Sequence, residues 1–441
     1  MRISKMLAVF GVVAAIGGAA PVAAEIKKDQ ALTDLVQILK NAGVLDEGQY
    51  NELTAKAAKR EAKQSWTDRI SLWGDFRGRW ESFIYTKGDS DFRNRSRLRY
   101  RFRLNGKAKI NPYATVLFRL ASGGDDDRST NRTLGDFADF ASDPIRIDRA
   151  FVRLTPFKEG RYPDENGVLF AEFGKVPIPY IRKVAKDFML WDSDISLEGV
   201  SFVTDREIVN DVDLYFNTGY YVVKENSSDS DPNLFAVQLG TEAGVTENIE
   251  LGARISYFRY GKVDDDMLAR GTEGSVVTSS SGNIAEGMTT GDSVSILESR
   301  LYAKFGFIED WPITVYGSIS GNLSAVASDD LGVGREHLAW GVGAEIGDKE
   351  KWLVFGVNYY DLQANAQFSQ FVDSDLFDGN TNRKGFAFYG SKQVLENTEV
   401  VLTTFWSRPS NKDAGYPFED GGHSLDKANR VRVIADMKFK F

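Results

Sequence analysis

The sequence predicts an all-β fold, a transmembrane antiparallel β-barrel of about 16 strands behind a short N-terminal helical hairpin. Three observations predict it. Residues 93–110 alternate cationic and apolar side chains over more positions than a typical globular strand has. The same alternation recurs between turn signals for the rest of the chain. No run of about 18 apolar residues follows the N-terminus, which excludes helical spans.

In the run 93–110, RNRSRLRYRFRLNGKAKI, one parity holds Leu98, Tyr100, Phe102, Leu104, Gly106, Ala108 and Ile110. The other holds Arg93, Arg95, Arg97, Arg99, Arg101, Arg103, Lys107 and Lys109. Successive strand side chains point to opposite faces, so one face is largely apolar and the other strongly cationic. The run matches the roughly 9 to 11 residues that a tilted strand needs to cross a bilayer, with overhang. Lipid outside and water inside account for both faces, because guanidiniums stacked at i, i+2 are costly in a closed, dry interior. A solvated face on a long antiparallel ribbon is the competing reading of this strand alone.

Among 441 residues there is no cysteine, which excludes a disulfide framework and a thiolate metal site. A mean hydropathy of −0.31 does not argue against a membrane, since barrel strands give only alternate residues to lipid. Residues 1–24 read as a secretory leader: Arg2 and Lys5, an apolar core from Met6 to about Ile16, and small residues ending Val22-Ala23-Ala24. Removing the two leader charges takes the formal charge from −9 to −11, a poor balance for nucleic-acid binding.

Residues 25–65 form the helical segment. Leu32, Leu35, Val36 and Leu39 make one apolar stripe, Gly43 is a stop, and Asp46 with Gln49 reads as a capping box opening a second helix. The pair is too small to hold a core alone. Its stripe packs on copies of itself or another periplasmic partner, or is a local appendage.

Residues 66–441 form the barrel. The first strand, about 70–83, places Asp75, Arg77, Arg79 and Glu81 opposite Ile70, Leu72, Phe76 and Trp80. The arginine strand is second; Asn111-Pro112 turns the chain, and Ala114, Val116, Phe118 and Leu120 return on the apolar face. Further strands centre near Phe151, Phe170, Phe202, Leu214, Val237, Ile255, Leu301, Val315, Val342, Phe355, Phe388 and Leu402, with a last one over 429–441. Short connections near 111–112, 246–248, 309–312, 347–350 and 395–397 alternate with long ones near 121–146, 176–195, 261–292, 361–384 and 408–428. That alternation is the organisation of outer-membrane barrels, with short turns periplasmic, and an even strand count puts the N-terminal helices on the periplasmic side. Aromatic residues near many strand ends, such as Trp73, Tyr113, Trp311 and Trp406, fit two interfacial girdles.

The final run ANRVRVIADMKFKF alternates Val431, Val433, Ala435, Met437, Phe439 and Phe441 on one face. A terminal phenylalanine after such alternation resembles the C-terminal signal of Gram-negative outer-membrane proteins. With the helical preamble, the first strand LWGDFRGRW and the arginine-rich second strand, the chain resembles the putative porins of proteobacteria. The resemblance implies a sixteen-strand channel passing small hydrophilic solutes or ions passively, set in outer-membrane lipid and lipopolysaccharide. It further implies a homotrimer and delivery to the barrel-assembly machinery through Phe441. A non-conducting barrel acting in surface binding or adhesion is the alternative.

Porins narrow their aperture with the third outer loop, which by count is residues 176–196 here. Pro177, Ile178, Pro179, Tyr180, Phe188, Met189, Leu190 and Trp191 make that loop unusually apolar, as expected of a segment packed on the inner wall. Asp187, Asp192 and Asp194 then face a cationic wall of Arg77, Arg79, Arg97, Arg99, Arg101, Arg103, Arg119 and Arg153, producing a transverse field. A subunit contact is the competing use of the apolar residues. No catalytic residue, cofactor or metal is predicted. His423 with Ser424 and Asp426 lacks an exposing turn, and Asp125–Asp127 and Asp264–Asp266 lack calcium-loop spacing.

Overall fold

The computed structural model describes residues 40, 46–61, 69–87, 94–123, 129–136, 142–155, 169–181, 191–209, 212–227, 230–263, 267, 282–329, 332–414 and 429–441. The expected leader and, apart from Lys40, the expected first helix lie outside them. Two compact units divide between Arg69 and Ile70.

In the first unit, α1 (Glu47–Glu61) begins as its sequence dictates. Gln49 N donates to Asp46 Oδ1 at 2.7 Å, and Asp46 N donates back to Gln49 Oε1 at 3.1 Å. Two amides that the helix leaves unpaired are thereby satisfied. Lys40 pairs with Glu47 at 3.1 Å and lies 4.0 Å over the Tyr50 ring.

The second unit is a closed antiparallel sheet. Its first strands are β1 (Ile70–Lys87), β2 (Arg95–Asn111), β3 (Ala114–Ala121), β4 (Arg132–Thr133), β5 (Arg146–Leu154) and β6 (Leu169–Pro177). Next come β7 (Ser196–Val209), β8 (Val212–Val222), β9 (Asn233–Thr246), β10 (Ile249–Gly261), β11 (Ser293–Phe305) and β12 (Ile313–Asn322). The last are β13 (Leu338–Gly347), β14 (Val354–Leu362), β15 (Arg383–Leu395), β16 (Thr398–Pro409) and β17 (Asn429–Lys440). Setting β4 aside, sixteen strands pair each with its neighbours, and β1 closes the ring by pairing with both β2 and β17.

β4 is an addition to the sequence reading, which places a long connection near 121–146. Arg132 and Thr133 extend the wall above the short β3 by pairing with Tyr100 and Arg99 of the longer β2. The length mismatch between a 17-residue and an 8-residue strand leaves upper β2 without a partner, and the connection supplies one.

Period-two alternation holds around the ring. In β8, Tyr215, Asn217 and Tyr221 are buried toward the lumen while Leu214, Phe216, Tyr220 and Val222 face out and are exposed. Inward tyrosines lie flat over glycines directly across the ladder: Tyr215 over Gly240 and Tyr389 over Gly356, where an added Cβ would sit 2.1 Å from the ring. Only glycine leaves that space, so the rings fill what glycine opens.

β5 contains the barrel's most consequential irregularity. Arg119 pairs with Arg149 and Leu120 with Ile147, so Asp148 is an extra residue. The bulge flips parity: Asp148 faces inward before it, and Arg149, Phe151 and Arg153 face inward after it, while Ile145 and Ile147 stay exposed outside.

The outward band gives a direct test. Leu301, in mid β11, is 62% exposed. Leu301→Arg should lower the stability of the protein refolded in lipid vesicles by about 2–4 kcal/mol, with Leu301→Val near parental; equal urea midpoints for the two variants would reject the outward face as lipid-facing.

Candidate functional site

The arginine face of β2 lies inward against acidic residues of its neighbours. Asp75 of β1 pairs with Arg101 and Arg103, each at 2.7 Å. Glu81, fully buried, takes Arg432 at 2.6 Å, Arg97 at closer range, and Arg99 at 3.5 Å. The repeat places like charges every second residue, and carboxylates interleaved from β1 make that tolerable.

Two connections fold inward to meet this wall. The first, around Ile178, Tyr180, Trp191 and Ile195, is buried among Phe151, Tyr221, Phe258 and Tyr260 of the wall. Its apolar residues pack as the sequence implies. Asp194 ends in an ion pair with Arg103 at 3.2 Å and accepts a hydrogen bond from Thr130 Oγ1 at 2.8 Å. Asp192 meets no arginine: it accepts from Ser374 N and from Asp194 N, both at 2.8 Å, fastening one connection to the other. Asp187, Phe188, Met189 and Leu190 lie outside the described residues, as do Asp125–Asp127, Asp264–Asp266, His423, Ser424 and Asp426.

The second inward connection, residues 363–382, is one that loop counting alone misses. Leu376 and Phe377 pack on Tyr360, Phe405 and Ile434 of the wall, and Phe368 and Phe371 pack on Tyr260. Its acid, Asp375, clamps Arg79 from one side while Asp436 of β17 clamps it from the other. The four hydrogen bonds run from 2.6 to 2.9 Å. Asp375 also reaches Arg432 at 3.2 Å, and Asp378 pairs with Arg432 at 3.0 Å and with Arg430. Phe377 and Asp378 hold φ of 50° and 66°, a strained setting for residues with a Cβ. The surrounding packing and ion pairs overdetermine it.

The expected wall residues therefore divide. Arg101 and Arg103 meet the first inward connection, and Arg79 meets the second. Arg77 binds Asn131 and stands 3.9 Å from Asp436, and Arg97 and Arg99 gather at Glu81. Arg119 pairs with Asp148, while Arg153 pairs with Glu172 at 2.7 Å and covers the Phe170 ring away from either connection. At Asp194 the acid that the sequence sets facing the cationic wall is in direct contact with it. Sequence reasoning missed Arg430, Arg432, Asp436, Asp375 and Asp378. The signals were present: Arg430 and Arg432 alternate in the last strand as the β2 arginines do, and FSQFVDSDLF is as apolar as the first loop.

Burial and the adjacent Asp194 carboxylate push Asp192 up to about 7. Burial, with Asp192 and Asp375 nearby, also raises Asp373 well above the carboxylate range. Against burial, Arg101 and Arg103 hold Asp194 low, and Arg79 and Arg432 hold Asp375 low. The junction thus joins two charged carboxylates facing arginines to two that favour the proton. Among the described residues no group of three His, Cys, Asp or Glu side chains is placed to hold a metal ion.

Comparison with known proteins places this geometry. Residues 89–304 match the family described as putative porin. The fold is similar to OprB of Pseudomonas putida, with a TM-score of 0.52 at 10% identity over 89% of this chain and 98% of that one. OmpF of Salmonella typhi gives 0.46 at 11% identity over 84% and 97%, and the outer-membrane channel DcaP of Acinetobacter baumannii gives 0.43 at 12% over 84% and 97%. No curated protein sequence matches.

The Asp192 junction should respond to pH with a defined sign. Its folded pKa lies above the ordinary value, so its contribution is full below about pH 4 and is lost as pH rises to about 7. Hydrogen exchange at the Ser374 and Asp194 amides, corrected for intrinsic rates, should accelerate across that window. Asp192→Asn should remove most of the dependence; identical profiles in both proteins would refute the assignment.

A second expectation concerns Asp375. Asp375→Asn leaves Arg79 and Arg432 with weaker partners, a loss on the order of 3–5 kcal/mol if the connection stays docked. The connection should instead detach, and limited proteolysis within residues 363–382 should rise sharply while heat-resistant barrel mobility on gels stays parental.

Proposed function

We propose that this chain is a porin of the Gram-negative outer membrane that passes small hydrophilic solutes or ions passively through a water-filled lumen, a reading supported by the likeness of residues 89–304 to the putative porin family. The observation that carries the reading is the inner wall itself. A closed sixteen-strand ring turns apolar residues outward and arginine, carboxylate, amide and hydroxyl side chains inward, and two connections narrow its interior without lining it with grease throughout. Charged rings at a constriction set which ions pass. Such a wall stabilises charged solutes in transit, which supports permeation.

The constriction, in this reading, is formed by Asp194 and Asp192 of the first inward connection together with Asp373, Asp375 and Asp378 of the second. Arg77, Arg79, Arg97, Arg99, Arg101, Arg103, Arg119 and Arg153 line the permeation wall, and Asp187 is assigned to the constriction from its sequence position alone. The exposed outward band contacts lipid and, on the long-loop side, lipopolysaccharide. The start of β1 and the end of β17 lie on the side of the short turns, and the periplasmic position of α1 is part of the same proposal. A homotrimer and recognition of the Phe441 strand by the barrel-assembly machinery follow from the family resemblance.

Reconstitution in planar bilayers tests this directly. The purified protein should give stable unit steps of current, and shortening residues 368–379 to a glycine-serine link should enlarge the unit step. A silent bilayer from correctly folded protein would turn the reading toward a binding or adhesive barrel.

A further inference from the structure

The chain between β3 and β5 sets a third segment against the arginine wall. Ser129, Thr130 and Asn131 are all buried, Thr130 completely. Asn131 Oδ1 accepts from Arg77 Nη2, and Arg99 Nη2 donates to the Asn131 carbonyl at 3.2 Å and to Ser129 Oγ at 3.3 Å. Thr130 Oγ1 donates to Asp194 at 2.8 Å, so the segment lies between the wall and the first inward connection. β4 fixes this position: Thr133 pairs with Arg99, and Asn131, two residues before it, falls on the same inward side.

What Arg77 and Arg99 meet in this segment is neutral. Among the described residues the nearest acid to Arg77 is Asp436 at 3.9 Å, and that carboxylate already takes Arg79 at 2.6 Å. Arg99 stands 3.5 Å from Glu81, whose oxygens take Arg97 and Arg432 at closer range. A buried N–H without an acceptor is costly, and an amide or carbonyl oxygen removes that cost as a carboxylate would. A carboxylate would also cancel the charge, whereas the amide leaves it standing. The amide is oriented for this role, because Asn131 Nδ2 donates to Ser129 Oγ at 3.2 Å and so turns Oδ1 toward Arg77.

We propose that Asn131 is a specificity-determining residue of the lumen: by capping Arg77 with a neutral oxygen it keeps that positive charge acting on passing ions and biases the channel toward small anionic solutes. This rests on the porin reading and gives its selectivity a direction. The bias is electrostatic, since a fixed charge in a narrow, weakly screened aperture favours ions of opposite sign.

Reversal potentials of the full chain in planar bilayers, under a potassium chloride gradient at neutral pH, provide the test. Asn131→Asp sets a carboxylate against Arg77 at nearly unchanged shape, and the Ser129 hydroxyl can turn to donate to it. Its reversal potential should shift toward the potassium equilibrium potential. Asn131→Leu removes the acceptor and adds no charge, so it should alter the size of the unit step and keep the parental reversal potential. Should Asn131→Asp fail to give the heat-resistant folded form on gels, Ser129→Asp, which brings a carboxylate to Arg99, should give the same shift. Two results overturn the proposal and leave the porin intact: a parental reversal potential in folded Asn131→Asp or Ser129→Asp, or an equal shift in Asn131→Leu. Absence of current from the folded parent and from every folded variant overturns both.

Discussion

Closure of the sheet governs everything else in the barrel. In hydrocarbon no water is available to satisfy a backbone amide or carbonyl, so a spanning sheet survives only without edges. Here β1 pairs with β2 over Ile70–Phe83 and with β17 over Asp75–Lys87, and Gly74 and Phe441 exchange hydrogen bonds of 2.8 and 3.1 Å at the seam. The Phe441 ring stacks on Phe102 at 6.2 Å. Once the ring is closed, every strand has one face inside and one outside. The five alternate arginines from Arg95 to Arg103 then have a single tolerable place, the interior.

The interior in turn explains the two connections. Isolated arginines on a wet wall would gain little from any one acid at the surface, where exposed pairs are worth under about 1 kcal/mol. Narrowing the lumen lowers the local dielectric and makes fork-shaped pairing worthwhile. Arg79, held by four hydrogen bonds between Asp375 and Asp436, shows the geometry that can offset desolvation. Apolar docking of Trp191, Phe368, Phe371, Leu376 and Phe377 supplies the attachment that charge alone would not.

Legibility in the sequence followed the range of each interaction. Period-two alternation is local, so each expected strand centre, from Phe151 to Leu402, falls inside an observed strand of the ring. The Asp46–Gln49 capping box is local too and formed. β4 was illegible because its cause is a mismatch in length between strands that are neighbours only in the folded ring. The Asp148 bulge was illegible for a related reason: parity within RIDRAFVRL is consistent with either phase, and only pairing against Arg119 shows the extra residue. Where the first connection meets the wall, the pairing of Asp194 with Arg103 follows the charge complementarity visible in the sequence. The inward turn of residues 363–382 was hidden behind a family expectation that directed attention to one loop, although Phe368, Phe371, Leu376 and Phe377 carried the same apolar signal.

The fastening between the two inward connections has a kinetic consequence. Asp192 binds the Ser374 amide, the Asp192 amide donates to the Phe371 carbonyl at 2.8 Å, and Trp191 stacks on Phe371 at 5.5 Å. Neither segment can leave the lumen while those contacts persist, so their excursions are correlated. Current through such an aperture switches between discrete levels, with dwell times set by a joint barrier, and a recording would show two-level telegraph noise where independent flaps would give a graded flicker.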